Sequence, residues 1–88
     1  KPKQNSANVS TKVFSLQSGA YGNKENAESQ KVNLIIAGFS ARITELYRKN
    51  RILYAVRIGY YSSKDDASVI GLQIKTKVDI DTIIITNN

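Results

Sequence analysis

Cysteine, histidine, methionine and tryptophan are all absent from this 88-residue chain, and proline occurs once. Without cysteine there can be no disulfide, no thiolate metal site and no thiol nucleophile. Without histidine the chain lacks the commonest general base and the commonest transition-metal ligand. Together these absences argue against an ordinary hydrolase. Long apolar runs are also missing. A membrane-spanning helix needs roughly 20 apolar residues, and the longest run here, around Ile83 to Ile85, is strand-sized. The start, Lys1-Pro2-Lys3, has no secretory-signal pattern and no initiator Met, so the chain reads as a piece of a longer protein. Acidic residues are the minority, 7 against 13 Lys and Arg, giving a net charge of +6. Such a surface draws polyanions: nucleic acid, anionic lipid, teichoic-acid-type polymers or a carboxylated polysaccharide. Charge alone does not choose among them.

What is present suits one small folded domain. Hydrophobic residues make up 41% of the chain, a globular composition, and a chain this short buries roughly 60–65% of its unfolded surface. Residues 1–11 are polar, hold the single Pro and lack hydrophobic periodicity, so they read as the end of a flexible linker. Lys12 to Ser18 alternates as a half-buried strand, with Phe14, Leu16 and Ser18 on one face and Val13, Ser15 and Gln17 on the other. Gly19 and Gly22 bracket a turn. Asn23 is placed to cap a helix whose stripe is Ala27, Lys31, Leu34 and Ala37, widened by Ile35, with Gly38 as its left-handed stop. Phe39 to Leu46 alternates again, Arg48 to Arg51 is a basic turn, and Ile52 to Gly59 is a third strand. Ser63 to Asp66 resembles a capping box before a helix with the stripe Ala67, Ile70, Ile74 and Val78. Asp79 to Thr86, rich in β-branched residues, is the last strand.

The order β-α-β-β-α-β is reinforced by an internal duplication. Phe14 to Ala27 aligns without gaps on Tyr54 to Ala67, with Gly19/Gly59, Tyr21/Tyr61, Lys24/Lys64 and Ala27/Ala67 identical. The chain therefore divides into two pseudo-repeats, about 12–46 and 52–88. Two right-handed split β-α-β units predict an α+β, ferredoxin/RNP-like fold: a four-stranded antiparallel sheet with two helices on one face. The uncovered face should carry Val13, Ser15, Gln17, Arg42, Thr44, Ala55 and Arg57, polar in the middle and basic at the rim. That face is the candidate binding surface.

Four segments in this order resemble a known family. They are Phe14-x-Leu16-Gln17-x-Gly19-Ala20-Tyr21, then Asn23-x-Glu25-Asn26-Ala27, then Leu34-x-x-x-Gly38-Phe39-x-Ala41, then Tyr54-x-Val56-Arg57-Ile58-Gly59-x-Tyr61-x-Ser63-x-x-x-Ala67. The combination is similar to the SPOR (sporulation-related repeat) domain over residues 12–88. The resemblance implies a non-catalytic bacterial module that binds peptidoglycan glycan strands from which amidases have removed the stem peptides. Such modules collect at the division septum and at sites of wall remodelling, in the cell envelope, periplasm or cell wall. It implies a monomeric domain of a larger protein such as an amidase or lytic transglycosylase, with no cofactor, no metal and no nucleic acid.

Carried over by position, Gln17 matches the family's strand-one glutamine, whose amide can bond sugar hydroxyls and N-acetyl groups. Ala20 falls where many members have Ser. Arg57 matches the second arginine of the family's Tyr-Arg-Val-Arg-Val-Gly pattern, Ala55 replaces the first, and Tyr60 replaces the usual proline. Amidase cleavage leaves a free lactyl carboxylate on each muramic acid, so the denuded strand is a regular polyanion. Arg42 and Arg57 on the sheet, with the basic hairpin, can pair with those carboxylates in bidentate geometry. The expected glycan contacts are Gln17, Ala20, Tyr21, Asn23, Arg42, Thr44, Tyr47 and Arg57. Plainer roles stand beside these. Asn23 and Ser63 would be helix caps, Tyr21 and Tyr61 would close the sheet-helix corner, Arg57 would pair with Glu45, and Arg48 to Arg51 would be a solvated turn.

Three alternatives share the topology. An RNA-binding RRM-like module needs stacked aromatics on strand three, and the outward positions there are Ala55 and Arg57. An acylphosphatase-type enzyme needs a base or nucleophile, and Glu25 and Glu28 have no matched partner. A protein-protein assembly domain could use the open face or the last strand as an edge. The acidic pairs Asp65-Asp66 and Asp79/Asp81 lack the ligand count of a calcium loop.

Overall fold

A computed structural model of the chain describes residues 12–87, and the expected linker end at residues 1–11 lies outside them. The elements run β1 (Val13–Tyr21), α1 (Lys24–Ile36), β2 (Ala41–Arg48), β3 (Arg51–Tyr61), α2 (Lys64–Val78) and β4 (Ile83–Asn87). The strands form one antiparallel sheet in the order β2-β3-β1-β4. The expected α+β architecture is therefore present, with β2 and β4 as the two edges.

Helix boundaries follow from local chemistry. The Asn23 side chain accepts from the backbone N–H of Glu25 (2.7 Å) and Asn26 (3.3 Å), satisfying donors that the first turn leaves free. Ser63 does the same for Asp66 at the start of α2. At the end of α1, Gly38 takes φ 101°, its N–H bonds Ile35 O, and the N–H of Phe39 bonds Leu34 O. That pair of bonds is the Schellman arrangement, which needs a residue with left-handed freedom at the Gly38 position. The α2 stop is Asp79, also left-handed, and Lys75 bridges back to Asp79 (2.9 Å) and Asp81 (3.2 Å). This cap and the 80–82 connection delay β4 to Ile83, later than the Asp79 start that its β-branched composition suggests. Phe39 and Ser40 likewise lie before β2 rather than in it.

The core lies between the sheet and the helices. Leu16, Val56 and Ile58 from the sheet meet Ala27 and Leu34 of α1 and Ala67 and Ile74 of α2. Ile70 and Val78 pack against this cluster as the α2 stripe predicts. Ile35 does not widen the α1 stripe. It is half exposed, and Val32 and Ile36 are exposed beside it. Lys31 reaches the helix edge and pairs with Glu28 at 2.9 Å, as a lysine on a buried stripe must.

Two irregularities in the β1·β3 ladder set which side chains face outward. Gln17 pairs with Arg57, but Gly19 pairs with Val56, so Ser18 is an extra residue in β1. Leu16 pairs with Ile58, but Phe14 pairs with Tyr61, so Gly59 and Tyr60 stand opposite Ser15 alone. Gly59 takes φ 68° at this bulge, a conformation glycine adopts at little cost. Each bulge reverses the alternation and returns a tyrosine, Tyr21 or Tyr61, to the core side. In both repeats a Cβ on the glycine two residues earlier would strike that ring, which accounts for the repeated Gly-x-Tyr. The same bulge carries β1 through Gly19 and on to Tyr21, so Gly19 is in the strand and the turn starts at Gly22.

Candidate functional site

The outward sheet face is built in rows across the strands. One row is Ile83, Gln17, Arg57 and Arg42, and the next is Ala20, Ala55 and Thr44. Ser15, Ile85 and Asn87 extend it on the β1·β4 side, and Leu46 and Leu53 extend it toward the hairpin. None of the seven acidic residues takes an outward position on the sheet. Glu45 alternates to the helix side, and the others lie on the helices or in the α2–β4 connection. Among the described residues the arginines of this face therefore have no counter-ion.

At its centre, Arg57 Nε donates to Gln17 Oε1 at 3.1 Å. This bond orients the Gln17 amide, leaving its NH2 group to donate elsewhere. Arg57 makes no other side-chain hydrogen bond among the described residues, so the ends of its guanidinium fork are unclaimed. Partial burial, and then the charges of Arg42 and Arg48, lower its pKa from the usual arginine value. An arginine so placed stays charged at neutral pH and is stabilised by any anion that approaches.

Arg42 is held differently. Its Nη1 donates to Gly59 O (3.1 Å) and its Nη2 to Ser15 Oγ (3.0 Å). Ser15 is fully buried, donates to Gly59 O (2.7 Å) and accepts from Asn87 Nδ2 (2.7 Å). A hydroxyl has one proton and two lone pairs, so Ser15 is saturated. The guanidinium carbon of Arg42 sits 3.9 Å from the centroid of the Tyr60 ring.

The sheet brings Gln17, Ala20, Arg42, Thr44 and Arg57 together on one face. It does not bring the other three expected residues there. Asn23 is the α1 cap, with its oxygen engaged. Tyr21 packs against the core. Tyr47 alternates with Leu46 onto the helix side, where its hydroxyl donates to Glu45 (2.9 Å), a bond that raises its pKa. Glu45 is therefore occupied on the face opposite Arg57. Sequence alternation misses Tyr60, which only the Gly59 bulge turns outward, and the buried hub at Ser15. The duplicated Gly-x-Tyr pattern is the one sequence signal that marks both bulges.

The β2–β3 hairpin is tighter than a four-residue turn. Arg48 pairs with Arg51, and Lys49 takes φ 54° in a two-residue connection. Arg48, Lys49, Asn50, Arg51 and Leu53 line a hollow of about 560 Å³ there. Ala55 is fully buried although it faces outward, so the middle of the face is less polar than expected. Among the described residues no group of acidic side chains could hold a metal ion, and no helix is long and apolar enough to cross a membrane. The outward positions in the middle of β1 and β3 are Ser15, Gln17, Ala55 and Arg57, which offer no pair of rings for stacking bases.

Comparison with known proteins gives a consistent picture. The family profile described as the SPOR domain matches residues 10–86. The peptidoglycan-binding domain of the Bacillus subtilis cell wall lytic enzyme CwlC is 31% identical, with a TM-score of 0.74, covering 96% of this chain and 100% of that one. The SPOR domain of RlpA from Pseudomonas aeruginosa is 27% identical, with a TM-score of 0.70, covering 82% of this chain and 96% of that one. A Burkholderia pseudomallei protein shares the fold at 17% identity and a TM-score of 0.76, over 89% of this chain and 16% of that one. No curated protein sequence matches the chain.

Proposed function

The chain belongs to the SPOR domain family, and on that footing we propose that it binds peptidoglycan by taking glycan strands without stem peptides onto its open sheet face. It is a binding module, associated with the cell envelope, and brings a larger envelope protein to the septum or to sites of wall remodelling. The CwlC domain, 31% identical over its full length, is a peptidoglycan-binding domain, which supports the substrate class.

The observation that carries the finer reading is the Arg57–Gln17 pair at the centre of a face without acidic groups. A stem-free strand offers a lactyl carboxylate on each muramic acid, and the free end of the Arg57 fork matches a carboxylate in bidentate geometry. The Gln17 NH2 group is oriented to donate to an N-acetyl carbonyl or a ring hydroxyl. Arg42 adds charge to the same row, and Thr44 and the small Ala20 and Ala55 leave room for a chain lying flat. Intact stems convert each carboxylate to an amide and add bulk over the face, so they select against binding.

Retention on purified sacculi, before and after amidase digestion and at two salt concentrations, tests this. Retention should rise on stem removal, fall with salt and fall in Gln17→Ala and Arg57→Ala with the fold intact. Equal retention on both kinds of sacculus would remove the stem-free reading, and no retention on either would remove peptidoglycan binding.

A further inference from the structure

We infer that Tyr60 is an aromatic platform for the apolar face of a pyranose ring, held in place by Arg42, at the end of the sheet face where β3 meets α2. This rests on the reading of that face as a glycan site and adds a contact to it. Three observations carry it. The Gly59 bulge puts Tyr60 on the outward face with Arg57 and sends Tyr61 back to the core. The Tyr60 side chain is 68% exposed although one face of its ring lies 3.9 Å from the Arg42 guanidinium, so the opposite face is open to solvent. Arg42 is fixed before any ligand arrives, by bonds to Gly59 O and to the saturated, buried Ser15.

An exposed tyrosine at a strand end ordinarily samples several rotamers. Stacking on an anchored guanidinium restricts it, so less freedom is lost when a sugar docks. Pyranoses present a face of C–H groups that packs flat on such a ring, while the phenol hydroxyl remains a polar tip. The bulge sets Gly59 and Tyr60 opposite Ser15, two β1 residues from the Gln17–Arg57 pair, so Tyr60 lies roughly 7 Å along the strand from Arg57 at about 3.3 Å per residue. A glycan with one carboxylate on Arg57 can therefore place a neighbouring sugar over the ring. Both terminal nitrogens of Arg42 already donate inside the protein and its guanidinium lies against the Tyr60 ring, so Arg42 is a positioning residue. Arg57, whose one side-chain hydrogen bond among the described residues is from Nε, is the carboxylate partner.

The test is titration of soluble stem-free glycan strands into the 88-residue chain and into Tyr60→Ala, Tyr60→Phe, Arg42→Lys and Arg57→Ala variants, with amide spectra confirming the fold of each. Tyr60→Ala should bind about three- to tenfold more weakly with an unchanged salt dependence. Tyr60→Phe should bind like the parent. Arg42→Lys should weaken binding in the same direction, and combining it with Tyr60→Ala should cost nothing further. Sugar C–H resonances should move upfield with the parent chain and not with Tyr60→Ala. Parent-like binding by Tyr60→Ala, with Arg57→Ala weakened, would overturn this inference and leave the glycan reading standing. A loss in Tyr60→Phe equal to that in Tyr60→Ala would show the hydroxyl acting instead of the ring, and would also overturn it. Absence of glycan binding by the parent chain would overturn both readings.

Discussion

Single side chains on this face divide into those that hold the protein and those free to hold a ligand. Ser15 belongs to the first group. Replacing it with Ala removes one of the two side-chain donors to Gly59 O and leaves the donors of Arg42 and Asn87 facing a methyl group. Unsatisfied buried groups cost about 1–3 kcal/mol, and in a domain this small each kcal/mol lowers Tm by roughly 4–8 °C. Ser15→Ala should therefore show a clear fall in Tm by calorimetry. Asn23→Ala should cost about 1 kcal/mol as a lost cap, while the folded variant keeps parental affinity for glycan; a selective loss of affinity would make Asn23 a contact after all. Arg57→Ala should act the other way. Among the described residues its one side-chain hydrogen bond is to Gln17, so stability should change little while glycan affinity falls about tenfold, the scale of one charge-assisted hydrogen bond.

Elements show what could be read from the sequence and what could not. Helix starts and stops were legible because Asn23, Gly38 and Ser63 are capping residues with a local function, and each performs it. The apolar stripe of α2 was legible because helical spacing survives packing. The sheet's outward face was legible only in part, because alternation assumes an unbroken ladder and each bulge shifts it by one residue. That hid Tyr60 and returned Tyr21 to the core side, whereas Tyr47 faces the helix side by plain alternation along an unbroken β2·β3 ladder. The β3 bulge also makes a distinct prediction. Gly59→Ala meets both a φ of 68° and the Tyr61 ring, so it should destabilise by about 2 kcal/mol or more and loosen the outward placement of Tyr60. Gly22→Ala is the control, because its added Cβ meets nothing within 4 Å, and it should stay within about 0.5 kcal/mol of the parent. Thermal unfolding of the two variants side by side decides whether the bulge or glycine content in general is what matters.

Across the whole molecule, charge is sorted by side: arginines on the open sheet face, carboxylates on the helices, the α2–β4 connection and, at Glu45, the helix side of β2. The chain has no His and no Cys, so no side-chain type present ordinarily titrates between about pH 5 and 8. Stability should be level across that range and fall on either side for separate reasons. The Lys31 partner holds Glu28 below its ordinary value of 4.5. Its contribution is present above that value and is lost as pH falls through the lowered one. Burial raises Tyr61 above 10.0, and Asp79 and Asp81 raise Lys75 above 10.5. For both, the folded state holds its proton more tightly than the unfolded chain. Their contributions are therefore complete below about pH 10 and are lost as pH rises through the raised values. Glycan affinity should follow a different curve. The arginines stay charged throughout, so affinity is governed by the ligand's carboxylates, which titrate near the ordinary carboxyl range of about 3.3–3.7. Binding should hold level to high pH for as long as the domain stays folded, and should collapse below about pH 4 as the lactyl groups protonate. Measuring affinity and Tm from pH 3 to 11 on one sample series separates the two curves. If affinity fell in the middle of the range while Tm stayed level, carboxylate recognition by Arg57 would be wrong.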